Sequence, residues 1–158
     1  MKEVIGWHTG SSVVDTIDAG AGADSISGGA GADIILINDN DSGLGAISTP
    51  SIATGTMDVI AGVAGDVINL AGALDTENDY DIFDNHVAGA AMNTTVITNE
   101  VAEYTGVYEA STNTFTSSAT AAAATASNTD VDAVAYLYAN TDDADTIATE
   151  GIIITGVG

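Results

Sequence analysis

The sequence predicts an all-β protein in which a short coil of parallel strands is continued by a β-rich C-terminal part with antiparallel strands. Near the N-terminus, aspartate and isoleucine recur in phase every nine residues, with glycines between them. From residue 94 onward, short runs rich in Thr, Val and Tyr are separated by turn residues such as Gly106 and Asn113, a pattern typical of strands. Pro50 lies in a Ser/Thr-rich connection, which places the predicted boundary between regions 1–50 and 51–158. The alternative is one continuous domain.

The nine-residue period occupies residues 15–36, whose sequence is DTIDAGAGADSISGGAGADIIL. A flexible linker rich in Gly, Ala and Ser, the alternative interpretation, has no reason to keep aspartate and isoleucine in phase. Nine residues predict half a coil, so two periods predict a full turn. Asp15 and Asp33 should then stack on one edge of the coil, and Asp24 should lie on the other. The isoleucines of the period are Ile17, Ile26 and Ile35.

The residue types of the period favour a calcium site. Glycine adopts positive φ and has no Cβ, so a short glycine-rich loop turns tightly and points its carbonyl oxygens inward. The aspartate adds negative charge, and residues 25–27 make a minimal strand with one apolar side chain facing in. Calcium takes about six to eight oxygen ligands, which two adjacent loops supply jointly. We therefore predict Ca2+ as the cofactor, with metal-site residues Asp15, Gly20, Gly22, Asp24, Gly29, Gly31 and Asp33.

The charge of the chain limits its partners. Against 23 acidic residues there is one basic side chain, that of Lys2, and the formal net charge is −22. We expect no nucleic-acid partner, because phosphate contacts need a basic patch. Self-repulsion at this charge destabilises a compact state, so we expect cations to relieve it. Solubility in high salt is the alternative explanation of the same acidity.

The cysteine content, the lengths of the apolar runs and the N-terminal segment further limit the class of protein. The sequence has no cysteine, which excludes disulfides and thiolate metal sites. No run approaches the roughly 18 apolar residues of a transmembrane helix, so we predict no membrane insertion. The N-terminal segment lacks the apolar core of a cleaved signal peptide. We expect the chain to be a fragment of a larger protein.

Each period reads small-Gly-Ala-Gly-Ala-Asp-x-Ile-x. This pattern resembles the Gly-Gly-x-Gly-x-Asp-x-apolar-x nonapeptide of the repeats-in-toxin (RTX) family. The resemblance implies a parallel β-roll that binds calcium. Residues 57–70 contain two Asp-Val-Ile units eight residues apart and resemble the segment that seals the roll in secreted RTX proteins. The resemblance thus implies that Asp58 and Asp66 also bind metal, the alternative being an ordinary β-hairpin.

The segments that flank the period are degenerate. Residues 1–14 carry an amphipathic patch that either caps the coil or continues it, and residues 10–18 look like a first repeat without inner glycines. After residue 36 the period fades. Leu44 keeps the isoleucine register, but Ser42 takes the aspartate position and Asp41 stands one place early.

Two acidic segments suggest metal sites without matching one. Residues 38–43 superficially suggest an EF-hand loop, but Thr49 stands at the twelfth position, where a bidentate glutamate is needed. We interpret this segment as a polar turn, which either contributes oxygens to a cation or does not. A second group of acidic residues forms either a solvated loop or a further calcium site: Asp75, Glu77, Asp79 and Asp81.

The C-terminal part is predicted to be rich in strands. Residues 132–140 have apolar side chains on both faces, as the interior of a sheet demands, and further strands are expected at 146–148 and 151–157. Residues 119–127 are alanine-rich and form either helix or loop. The strand, acidic turn and strand that end the chain resemble the C-terminal region of RTX and bacterial surface-layer proteins exported by type I secretion.

Motifs of catalysis are missing from the sequence, and we predict that the protein is not an enzyme. Its two histidines, His8 and His86, form no His-Glu-x-x-His zinc motif, and no Gly-x-Ser-x-Gly elbow is present. Carboxylate pairs are always available among 23 acidic residues, so they do not indicate a glycosidase.

The leading hypothesis is a non-catalytic, calcium-binding C-terminal module of a secreted bacterial surface protein, similar to a surface-layer (S-layer) protein. It would fold and assemble in response to extracellular calcium, at the cell surface or in the medium. Its expected partners are calcium ions and either further copies of itself or a surface polysaccharide. One alternative is the calcium-dependent tail of an RTX enzyme or adhesin. Another is a sugar-binding module that uses the exposed Trp7 and the tyrosines.

Overall fold

The structure, a computed structural model, describes residues 6–48, 51–61, 65–72, 102–117, 133–138 and 148–156. These residues form strands and turns without a helix, which confirms the predicted all-β class. Accordingly, the described residues contain no helix that could cross a membrane. The strands are β1 Trp7–Thr9, β2 Thr16–Asp18, β3 Ser25–Ser27, β4 Ile34–Asn38, β5 Ile47–Ser48, β6 Ser51–Ala53, β7 Asp58–Ala61, β8 Val67–Gly72, β9 Ala102–Glu109, β10 Thr114–Ser117, β11 Ala133–Tyr138 and β12 Glu150–Thr155.

The N-terminal strands form a parallel β-roll, as predicted. Strands β1, β3 and β7 stack in parallel on one side, and β2, β4 and β8 stack in parallel on the other. Trp7 pairs with Ser25 and Thr16 pairs with Ile34, so each step along a stack covers two nine-residue periods. Because β1 lies in this register, the described part of the N-terminal segment continues the coil.

The two Asp-Val-Ile units extend the roll and do not form a hairpin. Strand β7 pairs in parallel with β3, and β8 pairs in parallel with β4, so the two units lie in different sheets. Ser25 pairs with Val59, and Ile34 pairs with Val67. The partners are almost twice as far apart in sequence as the partners in the β1–β3 and β2–β4 pairs. The extra chain length contains β5 and β6, which leave the roll and pair with each other.

The sheet that begins in the roll continues into an antiparallel part. Strand β12 pairs in parallel with β7 and antiparallel with β11, and the order of the sheet is β1-β3-β7-β12-β11-β9-β10-β6-β5. The strand expected at residues 132–140 is confirmed as β11, and the last expected strand is confirmed as β12. The division of the chain at residue 50 stays a prediction.

The isoleucines of the period build the interior of the roll. Ile26 and Ile35 are completely buried, and Ile60 of β7 packs against them. Burying a side chain of this size stabilises the folded state by roughly 1.5–3 kcal/mol. Tyr138 of β11 and Ile152 of β12 belong to the same cluster, so the antiparallel part contributes side chains to the core of the roll.

Several sequence predictions lie outside the described residues. They concern the acidic residues at 75–81, His86, the alanine-rich segment at 119–127 and most of the strand expected at 146–148.

Candidate metal centre

The glycine loops of the roll repeat in conformation as they repeat in sequence. Gly20 and Gly29, nine residues apart, have φ angles of 77° and 90°. Gly22 and Gly31 both have a φ of 148°. A residue with a Cβ is strained in this region, so the loops require glycine at these positions.

Gly28 is required for a different reason than the glycines with positive φ, because two carboxylates approach its Cα. A Cβ on this residue would lie 2.5 Å from Oδ2 of Asp33 and 2.8 Å from Oδ2 of Asp66. The glycine therefore makes room for two carboxylate oxygens from successive coils at one place.

The aspartates form two stacked rows, one on each edge of the roll. The first row, named here the Asp33 ladder, contains Asp15, Asp33 and Asp66. The backbone N–H of Asp15 donates to Oδ1 of Asp33 over 2.8 Å, and the N–H of Asp33 donates to Oδ1 of Asp66 over 3.0 Å. Asp15 and Asp33 thus share one edge, as the half-coil period predicts.

The second row, the Asp24 ladder, contains Asp24 and Asp58. The N–H of Gly6 donates to Oδ1 of Asp24 over 2.6 Å, and the N–H of Asp24 donates to Oδ1 of Asp58 over 2.8 Å. The N–H of Asp58 donates in turn to Oγ of Ser42, over 2.7 Å. Ser42 holds the aspartate position of the fading period, and it continues the ladder with a hydroxyl in place of a carboxylate.

Four of the five stacked aspartates keep one carboxylate oxygen without a hydrogen-bond partner. Oδ1 accepts a backbone N–H, while Oδ2 is buried and unpartnered in Asp24, Asp33, Asp58 and Asp66. Burying such an atom is costly unless another group compensates it. Burial, reinforced by the charges of Asp24 and Asp41, raises the pKa of Asp58 to about 7, although the N–H of Asp24 opposes this shift.

These orphaned oxygens fit a hard cation. Lys2, the single basic residue of the sequence, lies outside the described residues. The imidazole Nε2 of His8 lies 3.8 Å from Oδ1 of Asp24, the oxygen that already accepts the Gly6 N–H. Calcium prefers carboxylate and carbonyl oxygens, and the ladders present unpartnered carboxylate oxygens.

The ladders bring side chains together in pairs. In the described part of the chain, no three His, Cys, Asp or Glu side chains converge as an all-side-chain metal cage requires. Full coordination of calcium at a ladder therefore needs the loop carbonyls as well, as the glycine spacing predicts.

Asp15 differs from the other predicted ligands, because it lies at the end of its ladder. Its Oδ2 accepts hydrogen bonds from the N–H and the hydroxyl of Ser11, over 2.6 and 2.7 Å. The Ser11 backbone bond, followed by the hydroxyl bond, lowers the pKa of Asp15. This carboxylate is satisfied within its own degenerate repeat.

Glu150, at the start of β12, is a buried acidic residue that the sequence patterns do not indicate. It is 2 % exposed, its Oε1 accepts the N–H of Asn40 over 2.5 Å, and its Oε2 is unpartnered. No sequence pattern could have found it, because its contact with Asn40 spans 110 residues.

Comparison with known proteins finds a family match for one segment of the roll. Residues 9–36 match the family model described as RTX calcium-binding nonapeptide repeat (4 copies). No curated protein matches the chain. The matched segment is therefore a calcium-binding segment of the RTX type, and Ca2+ is its cofactor. Repeats of this family are structural and generally non-catalytic, and proteins that carry them are typically secreted by type I secretion.

Proposed function

We propose that this chain is the calcium-responsive module of a secreted bacterial surface protein of the S-layer type. It folds when it meets extracellular calcium and helps the parent protein to assemble at the cell exterior. The observation that carries the proposal is the set of four buried, unpartnered carboxylate oxygens in the two ladders. Two of the four aspartates, Asp24 and Asp33, lie within the segment that matches the RTX repeat.

We assign the metal sites to the spaces beside the two ladders. Oδ2 of Asp24, Asp33, Asp58 and Asp66 supplies charge, and the carbonyl oxygens of the adjoining glycine loops complete the ligand set. The assignment covers Asp15, Gly20, Gly22, Asp24, Gly29, Gly31, Asp33, Asp58 and Asp66, with Asp15 at the end of its ladder as the weakest candidate.

Calcium in this role supplies folding free energy. Stacked carboxylates repel one another, and a shared divalent ion cancels that repulsion. At a dissociation constant of about 0.1 mM and a calcium concentration of about 10 mM, each site stabilises the folded state by about 2.7 kcal/mol. Two or three such sites match the stability of a small domain. Inside a cell, where calcium is scarce, the ladders stay open.

Far-UV circular dichroism of the full chain tests the proposal. We expect weak β-signal in chelator, a strong cooperative gain on addition of calcium, and reversal when chelator returns. Magnesium is the matched control, because it demands a smaller octahedral site and keeps its waters. A spectrum that calcium leaves unchanged would contradict the proposal.

Self-association is one proposed route of assembly. Within the described residues, β1 and β2 each pair with one strand only and form the open ends of the two stacks. Unpaired backbone groups at such an end are a template for a second chain. Sedimentation velocity should therefore find larger species in calcium than in chelator, and a monomer under both conditions would contradict this route.

Polysaccharide binding is the second candidate, and a groove beside the Asp24 ladder favours it. Trp7 is 84 % exposed and lines an open cavity of about 250 Å³ together with Thr54, Tyr108 and Asn113. An aromatic face beside polar groups suits a sugar ring, and the net charge of −22 favours a neutral one. A glycan array should show binding that Trp7→Ala abolishes and that Val13→Ala, at an exposed position outside the cavity, leaves intact.

The tail of an RTX enzyme or adhesin is the alternative parent protein. The genomic sequence that precedes Met1 distinguishes the two. A catalytic domain or an adhesin array there supports the tail, and further lysine-poor β-rich sequence supports the S-layer protein.

A further inference from the structure

A group of buried titratable residues lies where the roll meets the antiparallel part of the sheet. It is named here the junction cluster and consists of Asp41, Tyr138 and Glu150. The three residues are 8 %, 0 % and 2 % exposed. The hydroxyl of Tyr138 and Oε2 of Glu150 are buried and have no hydrogen-bond partner.

Backbone contacts fix the junction cluster in place. The N–H of Leu44 donates to the carbonyl of Thr149 over 3.0 Å, and the N–H of Gly151 donates to the carbonyl of Ser42 over 3.2 Å. These bonds tie the turn at residues 38–43 to β12 on both sides of Glu150. Asp41 is held as well, because its Oδ2 accepts from the N–H and the side-chain amide of Asn38.

The junction cluster is crowded with negative charge. Burial first, and then the charges of Asp39 and Asp41, raise the pKa of Glu150 to about 7 against the lowering effect of the Asn40 N–H. Burial and four surrounding carboxylates also raise the pKa of Tyr138 well above its ordinary value. Like charges buried together are strongly unfavourable unless a cation compensates them.

The turn at residues 38–43 and Glu150 complement each other. The turn has the Asp/Asn-rich composition of a calcium loop, but Thr49 occupies the position of its closing glutamate. Glu150 brings a buried carboxylate to the same turn from β12, where it accepts the N–H of Asn40. The acidic group that the local sequence lacks thus comes from a distant strand.

We propose that the junction cluster binds a calcium ion of its own, separate from the ions of the two ladders. Oε2 of Glu150 is a direct ligand, and Asp41 and the Tyr138 hydroxyl contact the ion directly or through water. Backbone carbonyls of the turn complete the site. The ion fastens β12, and with it the antiparallel part, to the end of the roll. This inference extends the proposed calcium response to a site outside the RTX match.

Titration calorimetry of the full chain with calcium tests the junction site through Glu150→Gln. We expect the variant to lose one calcium equivalent, or to bind that equivalent at least about tenfold more weakly. The matched control is Glu109→Gln, which makes the same chemical change at an exposed position. Unchanged stoichiometry and affinity in Glu150→Gln would overturn the junction site.

A second variant keeps the inference testable if Glu150→Gln does not fold. In a Trp7→Phe background, terbium bound at the junction should be excited through Tyr138, and Tyr138→Phe should remove much of this emission. Undiminished emission would overturn the site. Failure of the proposed function would give different results from failure of the junction site. Calcium would leave the folding of the chain unchanged, and the variants of the ladder aspartates would bind calcium like the parent chain.

Discussion

At the scale of single residues, the aspartates Asp24, Asp33, Asp58 and Asp66 each have two roles that belong to different oxygens. Oδ1 of Asp33 accepts the N–H of Asp15 and so aligns two coils, while Oδ2 is buried and unpartnered. Only the second oxygen is free for a cation. The hydrogen bond and the metal ligand can therefore be separated by substitution.

We expect Asp24→Ala and Asp33→Ala to weaken both calcium affinity and cooperative folding, because each removes the aligning acceptor and the charge. The loss of the buried hydrogen bond alone should cost about 1–3 kcal/mol. Calcium titration calorimetry and chemical denaturation measure the two effects.

Asp33→Asn is the informative partner of Asp33→Ala, since it keeps an acceptor oxygen for the Asp15 N–H and removes the charge. It should lose calcium affinity while keeping more of the stability. Asp18→Asn serves as the control, because Asp18 is exposed on β2 and is not among the assigned ligands. Unchanged titrations in both alanine variants would refute the ligand assignment.

Gly28→Ala should weaken calcium binding without adding or removing any charge. The new Cβ would lie 2.5 Å from Oδ2 of Asp33 and 2.8 Å from Oδ2 of Asp66, the atoms assigned to the ion. Gly55→Ala is the matched control, because nothing lies within 4 Å of its Cβ position. Equal calcium affinities of the two variants, measured by calorimetry, would contradict the placement of the ion beside Gly28.

The sequence was informative about these residues where their spacing is regular. A nine-residue register predicts that Asp15 and Asp33 share an edge, because a coil of fixed length returns each residue type to the same place. The roles of Glu150 and Tyr138 could not be predicted, since neither residue belongs to a repeat and the charge of Asp41 acts on both across a long distance in sequence. Ser42 was predicted in part. The nine-residue register places it at the aspartate position, but its hydrogen bonds with the N–H of Asp58 and the carbonyl of Gly151 are known only from the structure.

At the scale of elements, β12 joins the two halves of the fold. It pairs in parallel with β7 of the roll and antiparallel with β11. Ile152 packs in the core of the roll, while Ile153 packs in the core of the antiparallel part. Because consecutive side chains of a strand point to opposite faces, one strand serves both cores.

The two isoleucines of β4 allow a matched test of the roll interior. Ile35 is fully buried, and its neighbour Ile34 is 36 % exposed. We expect Ile35→Ala to lower the free energy of unfolding by about 2–5 kcal/mol in saturating calcium. Ile34→Ala should lower it by less than about 1 kcal/mol.

Chemical denaturation measures both variants. Equal destabilisation by Ile34→Ala and Ile35→Ala would contradict the described roll. It would mean that the face of β4 that carries Ile34 is buried as well.

The sequence predicted the elements of the roll better than their continuation. Period and residue type together indicate the parallel stacks, and β11 is evident from its apolar faces. The position of β6 could not be predicted, because it depends on pairing Ile52 with Phe115 across a distance in sequence that no local pattern records.

At the scale of the whole molecule, the dominant property is an uncompensated negative charge of −22. Part of this charge is buried at Asp58 and Glu150, whose pKa values are both raised to about 7, primarily by burial. Their ordinary values are 3.8 and 4.5. In the absence of calcium, these groups therefore favour the folded state only while they are protonated.

The stability of the calcium-free protein should consequently fall as the pH rises from about 4 to 7, since the folded state binds more protons than the unfolded state in this window. Calcium needs the ionised carboxylates, so the stabilisation that it provides should grow over the same window, with release of protons on binding. Thermal unfolding at several pH values, with chelator and with calcium, measures both trends. Calcium-free stability that rises between pH 5 and 7 would contradict this view of the buried acids.

The central claim is that the two aspartate ladders hold calcium between successive coils. A crystal structure of the full chain grown in calcium, with anomalous scattering to identify the ions, tests it most directly. The account predicts an ion beside Asp33 and Asp66 and another beside Asp24 and Asp58, each about 2.3–2.6 Å from the Oδ2 atoms and from carbonyl oxygens of the glycine loops. Ladders without ions, or aspartates turned away from each other in saturating calcium, would contradict it.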